Sequence, residues 1–157
     1  MLYLDPSALI KHYIREAGTE AVNLRLRRHS FRHTRIFIST LGYAEILAAF
    51  ARRYRENLMT ESEAAVATQK FLSDWPSELS HVELNVTVLL FVPRLISDYP
   101  LRGSDAIHLA SALWVRDSVL PGTRSPTSRS VTFASSDKQL KLAARAEGLN
   151  VFDPEKP

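Results

Sequence analysis

Four carboxylates stand where a folded domain would normally avoid or merely tolerate charge: Asp5, Glu45, Asp105 and Asp137. Asp5 ends the apolar run Leu2-Tyr3-Leu4, and Glu45 is the only charge between residues 36 and 51. Asp105 opens the mostly apolar stretch 106–115, and Asp137 follows the strand-like Val131-Thr132-Phe133-Ala134. Acids gathered at strand ends and on the inner face of a helix repel one another unless something positive sits between them. A hard divalent cation such as Mg²⁺ is the simplest candidate, because it selects carboxylate oxygens. The pattern points to metal-dependent chemistry on phosphates.

Each acid also has a purely structural reading. Asp5 before Pro6 suits a helix cap. Asp105 and Asp137 fall in first helical turns, where a carboxylate favours the helix dipole; Ser104 and Ser136 are expected to cap those helices and leave both acids free. Glu45 is harder to explain this way. It sits mid-helix among apolar residues, where an unpaired buried charge is strongly disfavoured, so it should meet an arginine or a metal ion. His108, almost one helical turn after Asp105, can orient that carboxylate, contact substrate or simply pack. His29 and His33 lie in Arg27-Arg28-His29-Ser30-Phe31-Arg32-His33, which reads as a solvated basic face or a phosphate-contacting patch.

Several chemistries are excluded. There is no glycine-rich nucleotide loop, and a phosphatase of the Asp-x-Asp kind would need an acid where Ser7 stands. No serine nucleophile elbow occurs, and without cysteine there is no disulfide, thiolate site or thiol nucleophile. The cysteine count suits a reducing cytosol, the N-terminal segment lacks the features of a signal peptide, and no apolar run approaches the roughly 18 residues of a membrane span. Cytoplasmic localisation is the expectation. Residues 1–60 carry ten Lys and Arg against five Asp and Glu, which suggests a polyanionic partner.

The elements that must position the acids alternate along the chain. Strands are expected at residues 2–4, 36–38, 82–84, 131–134 and 149–152. Helices are expected at 6–16, from Thr19, at 40–55, from the capping box Thr60-Glu61-Ser62-Glu63 to Trp75, at 86–96, 105–116 and 136–147. Residues 120–130, rich in Pro, Gly, Ser and Thr, read as an exposed loop. At 157 residues the chain is one domain by length. Alternating strands and helices give a parallel sheet covered on both faces, with ligands beyond the carboxyl ends of the strands. All four acids can face one pocket there.

Leu4-Asp5-Pro6-Ser7-Ala8-Leu9, Tyr43-Ala44-Glu45-Ile46, Ser104-Asp105-Ala106-Ile107-His108-Leu109-Ala110 and Ala134-Ser135-Ser136-Asp137-Lys138-Gln139-Leu140 resemble the four acidic motifs of PIN domains, closest in flavour to VapC-type toxin ribonucleases. The resemblance spans nearly the whole chain. It implies a three-layer α/β/α sandwich with a central parallel sheet, a Mg²⁺ or Mn²⁺ site and cleavage of single-stranded RNA. It also implies homodimers and a small antitoxin that blocks the pocket. The acidic set would be Asp5, Glu45, Asp105 and Asp137, with Asp5 and Asp105 as direct ligands and Ser135, Ser7 and His108 in support. Alternatives are a structure-specific DNA nuclease of the flap type, which usually carries more acids, and a silent RNA- or protein-binding module, which would have no reason to keep four repelling acids.

Overall fold

The computed structural model describes residues 1–31, 34–118 and 131–156. Its sheet has five parallel strands in the order β3-β2-β1-β4-β5: β1 Leu2–Leu4, β2 Ile36–Ser39, β3 Ser80–Val82, β4 Thr132–Ala134 and β5 Asn150–Phe152. Among the described residues the helices are α1 Pro6–Tyr13, α2 Thr19–Phe31, α3 Leu41–Arg55, α4 Glu61–Glu78, α5 Val86–Leu89, α6 Val92–Asp98, α7 Gly103–Ser118 and α8 Lys138–Ala146.

Three layers follow from the period-2 alternation of side chains along a strand. Leu2, Leu4, Ile36 and Ile38 point to one face and pack with Leu9, Ile46, Phe50 and Phe71 of α1, α3 and α4. Tyr3, Phe37 and Phe133 point to the other and meet Val88, Leu95, Leu109, Leu113 and Leu140 of α5 to α8. Strands buried on both faces read as continuous apolar runs, which is why Leu2-Tyr3-Leu4 and Ile36-Phe37-Ile38 were conspicuous in the sequence. The order reverses between β1 and β4, so the crevice beyond their carboxyl ends is the topological switch point.

Some boundaries differ from expectation. The third strand occupies 80–82 rather than 82–84, because a shift of two residues preserves the alternation that marks a strand. Helix α4 passes through Pro76 to Glu78: proline removes one backbone donor there, but its fixed φ is helical. The single buried helix expected at 86–96 is two short ones, since Pro93 can donate no backbone hydrogen bond; Val88 and Leu95 are buried, whereas Val86 and Leu90 are each 73% exposed. Gly18 has φ +91° and lies so close to Pro154 that a Cβ would meet it at 2.9 Å. Gly148, at φ +78°, ends α8. The loop expected at 120–130, and His33, lie outside the described residues.

Candidate active site

The switch-point crevice opens into a cleft of about 430 Å³ whose lining includes Asp5, Glu45, Asp105 and Asp137 together. Asp5 comes from the end of β1, Asp137 from the turn after β4, Glu45 from α3 and Asp105 from the first turn of α7.

Asp5 is the most enclosed, 5% exposed. It is the N-cap of α1, with Oδ2 accepting the amide of Ser7 at 3.2 Å. The hydroxyls of Ser7 and Ser135, the latter at 3.1 Å, donate to the same oxygen. The two hydroxyls in turn accept the amides of Ser136 and Asp137, each at 3.0 Å. Each hydroxyl has one proton and gives it to Asp5, so the two serines fasten β1 to β4 and fix the carboxylate between them. Burial pushes the pKa of Asp5 up; His108 and the serine donors oppose that shift without cancelling it.

Asp105 is half-buried, and its Oδ2 accepts the amide of Arg102 at 3.3 Å. Burial again raises its pKa, resisted by that amide and reinforced by the nearby Asp137. Asp137 is exposed and is itself the N-cap of α8, accepting the amide of Leu140 at 2.7 Å. This corrects the expectation that Ser136 does the capping. Ser104 likewise lies inside α7, whose first residue is Gly103. In both cases the Asp carboxylate, rather than the serine hydroxyl, accepts a free amide at the helix start.

Glu45 is not buried among the apolar residues around it. Ala44 and Ala48 on its side of α3 are exposed, and the Glu45 side chain is 31% exposed to the cleft. Its partner is neither arginine nor lysine: Oε2 lies 2.5 Å from Nε2 of His108, which is 1% exposed. His108 Nδ1 meets the hydroxyl of Tyr3 at 3.1 Å, and that hydroxyl accepts the Ser39 amide at 3.1 Å. Burial raises the Tyr3 pKa far above the ordinary range, so the phenol keeps its proton. A carboxylate only accepts, so His108 Nε2 is the nitrogen that donates to Glu45.

Tyr3 was legible only as an apolar strand residue, although a phenol in a fully buried strand must find a partner for its hydroxyl. Lys11 was also missed. It is 4% exposed, lines the cleft and binds Glu16 at 3.0 Å and Glu155 at 2.8 Å, while Arg53 joins the same Glu16. Arg52 and Arg102 line the cleft as well. The acids therefore share the cleft with cations suited to a phosphodiester backbone. Trp75 and Trp114 are partly buried against the core.

Among the described residues no group of three or more His, Asp or Glu is drawn close enough to hold a metal ion. The donor set nevertheless fits a hard divalent ion. All four side chains offer oxygen, all line one cleft, and among the described residues no lysine or arginine is ion-paired with any of them.

No protein-family model matches the chain. It is 33% identical over 151 residues to Ribonuclease VapC45 of Mycobacterium tuberculosis (strain CDC 1551 / Oshkosh), covering 96% of this chain and 94% of that protein. The same figures hold for Ribonuclease VapC49 of Mycobacterium tuberculosis (strain ATCC 25618 / H37Rv). Two crystal structures share the fold over 98% of both chains. One, of FitAcB from Neisseria gonorrhoeae, has a TM-score of 0.67 at 16% identity. The other, of VapBC2 from Rickettsia felis bound to a DNA fragment from their promoter, has a TM-score of 0.65 at 13% identity. A third of the residues retained across almost the full length, on this sheet order, places the chain in the VapC family of ribonucleases.

Proposed function

We propose that the whole chain acts as one nuclease domain, an endoribonuclease that cleaves single-stranded RNA with Mg²⁺ or Mn²⁺, and that it is the toxin of a toxin–antitoxin pair. The observation that carries this reading is the convergence of Asp5, Glu45, Asp105 and Asp137 on one cleft at the β1/β4 switch point, in a chain of the VapC family. Asp5 and Asp105 would hold the ion directly, and Glu45 and Asp137 would act through its waters or on a second ion. When bound, such an ion supplies charge for a phosphoryl oxygen and lowers the pKa of a water. The chain's own residues do the rest. Ser7 and Ser135 fix Asp5, His108 fixes Glu45, and Arg52 and Arg102 bind and orient the phosphodiester backbone.

Partners follow from the same reading: an antitoxin protein over the cleft and a second copy of this chain. Exposed Val86, Leu89 and Leu90, and an apolar groove between α3 and α4 that includes Leu47 and Leu72, provide surface for such association. Among the described residues no helix is long and apolar enough to cross a membrane, and we place the activity in the cytoplasm, where RNA is the substrate. The test is cleavage of a labelled single-stranded RNA by purified protein in Mn²⁺, with and without EDTA. Cleavage that stops in EDTA is expected; equal cleavage in EDTA overturns the metal-dependent reading.

A further inference from the structure

A second groove lies at the opposite edge of the sheet, and nothing in the cleft chemistry uses it. Its lining includes Arg25, Arg27, Arg28 and Phe31 of α2, Thr34 just before β2 and Thr132 at the start of β4. It therefore faces the amino ends of the strands, whereas the acidic cleft faces their carboxyl ends.

Basic residues in the last turn of α2 suit the negative end of a helix dipole, which would explain Arg28 without any ligand. Three features lie outside that explanation. Among the described residues no acid lines the groove, and no carboxylate is ion-paired with Arg25, Arg27 or Arg28. Arg25 is drawn inward, its guanidinium 4.9 Å from the centre of the Phe152 ring; its Nε is sealed from solvent with no hydrogen-bond partner among the described residues. Its pKa is lowered by burial and by the neighbouring charge of Arg28, so these two cations repel each other. Phe31, finally, is 87% exposed, leaving an aromatic face beside the guanidinium groups.

Mutually repelling arginines with an open aromatic ring are the ingredients of single-strand binding: phosphates on the cations, a base on the ring. An acidic protein segment would satisfy the arginines but leaves the ring without a reason. Helix α2 also joins the two sites. Glu16, just before it, lines the acidic cleft, and Phe31 at its end lines the basic groove. Thirteen residues at about 1.5 Å each span about 20 Å, or about six stacked nucleotides at ~3.4 Å.

We propose that this amino-edge groove is a second binding site for the single-stranded RNA substrate, holding the strand about six nucleotides from the cleft and making affinity depend on RNA length. The proposal rests on the ribonuclease reading for the choice of RNA, and its test is binding rather than cleavage. Fluorescence anisotropy would measure a 6-nucleotide and a 20-nucleotide RNA on full-length protein carrying Asp5→Asn, with and without Arg27→Gln, Arg28→Gln and Phe31→Ala. The three substitutions are expected to weaken the 20-mer about tenfold or more and the 6-mer less than twofold. They should lower the salt slope by about two, one for each arginine removed. Phe31→Ala alone should weaken the 20-mer at unchanged salt slope, with an unchanged melting temperature showing that the fold is intact. Equal affinity for the 20-mer with and without the substitutions overturns the proposal. So does a poly-glutamate peptide that binds the groove as tightly as the 20-mer, an outcome that assigns it to an acidic protein segment. If the parent protein cleaves no RNA yet the 20-mer still depends on Arg27, Arg28 and Phe31, the ribonuclease reading falls and the groove stands.

Discussion

His108 and Glu45 meet at 2.5 Å where α7 faces α3, and the histidine end of that contact is held from behind by Tyr3. A half-exposed carboxylate in the cleft is thus fixed by a chain of buried groups reaching back to the Ser39 amide on β2.

Tyr3→Phe tests that chain. The ring keeps its stacking on Phe133, whose centroid is 5.4 Å away, but the Ser39 amide loses its acceptor and His108 Nδ1 its hydroxyl partner. Leaving buried groups unpaired costs about 2 kcal/mol, equivalent to roughly 4–8 °C in melting temperature. Cleavage should fall by about 10–100-fold, the usual effect of removing a group that orients a ligand. Thermal melting and initial rates check both. An unchanged rate with a lowered melting temperature would make Tyr3 structural only.

Asp137 has two jobs that two substitutions separate. Asp137→Asn keeps a side-chain oxygen to cap α8, so the melting temperature should stay near that of the parent while cleavage drops. Asp137→Ala loses the cap too, at about 1 kcal/mol. Equal melting of the two variants would show that the cap contributes nothing.

The raised pKa values of Asp5 and Asp105 set the direction of a pH effect. The folded protein holds these protons to higher pH than the unfolded chain does. Stability therefore falls as pH rises from their ordinary value of 3.8 through the raised folded values, and it stays lower above them. In EDTA, Asp5→Asn removes one of these losses and should melt above the parent near neutral pH, with the two converging toward pH 3. An Asp5→Asn protein that melts lower at neutral pH would show that the serine hydrogen bonds outweigh the cost of burying the charge.

Mn²⁺ should raise the melting temperature of the parent by binding the native state, and raise that of Glu45→Gln less. A full Mn²⁺ response in Glu45→Gln would redraw the site without Glu45, leaving it as the partner of His108 alone.

Asp5, Asp137 and the strands before them were legible because strands buried on both faces make unbroken apolar runs, and a charge after such a run is conspicuous; Glu45 and Asp105 were legible as lone charges in mostly apolar helical stretches. Tyr3 was not, because it continues the run. Lys11 was hidden because its partners Glu16 and Glu155 are brought to it only by the fold. Capping by Asp137 was missed because Ser136 and Asp137 are adjacent candidates, and a backbone angle that the sequence does not show decides between them. The break at Leu90 and Phe91 follows from Pro93, but which side chains of the run are buried is a tertiary outcome: Val86 and Leu90 remain exposed.

The most direct test of one shared acidic site is RNA cleavage by folded Asp5→Asn and Asp105→Asn proteins at saturating Mn²⁺, each compared with the parent. Both substitutions keep volume and remove one charge from the cleft. Loss of cleavage by at least a thousandfold in each, with a native melting transition, is the expected result. Near-parental cleavage by a folded Asp5→Asn protein would contradict the account and reduce Asp5 to the cap of α1.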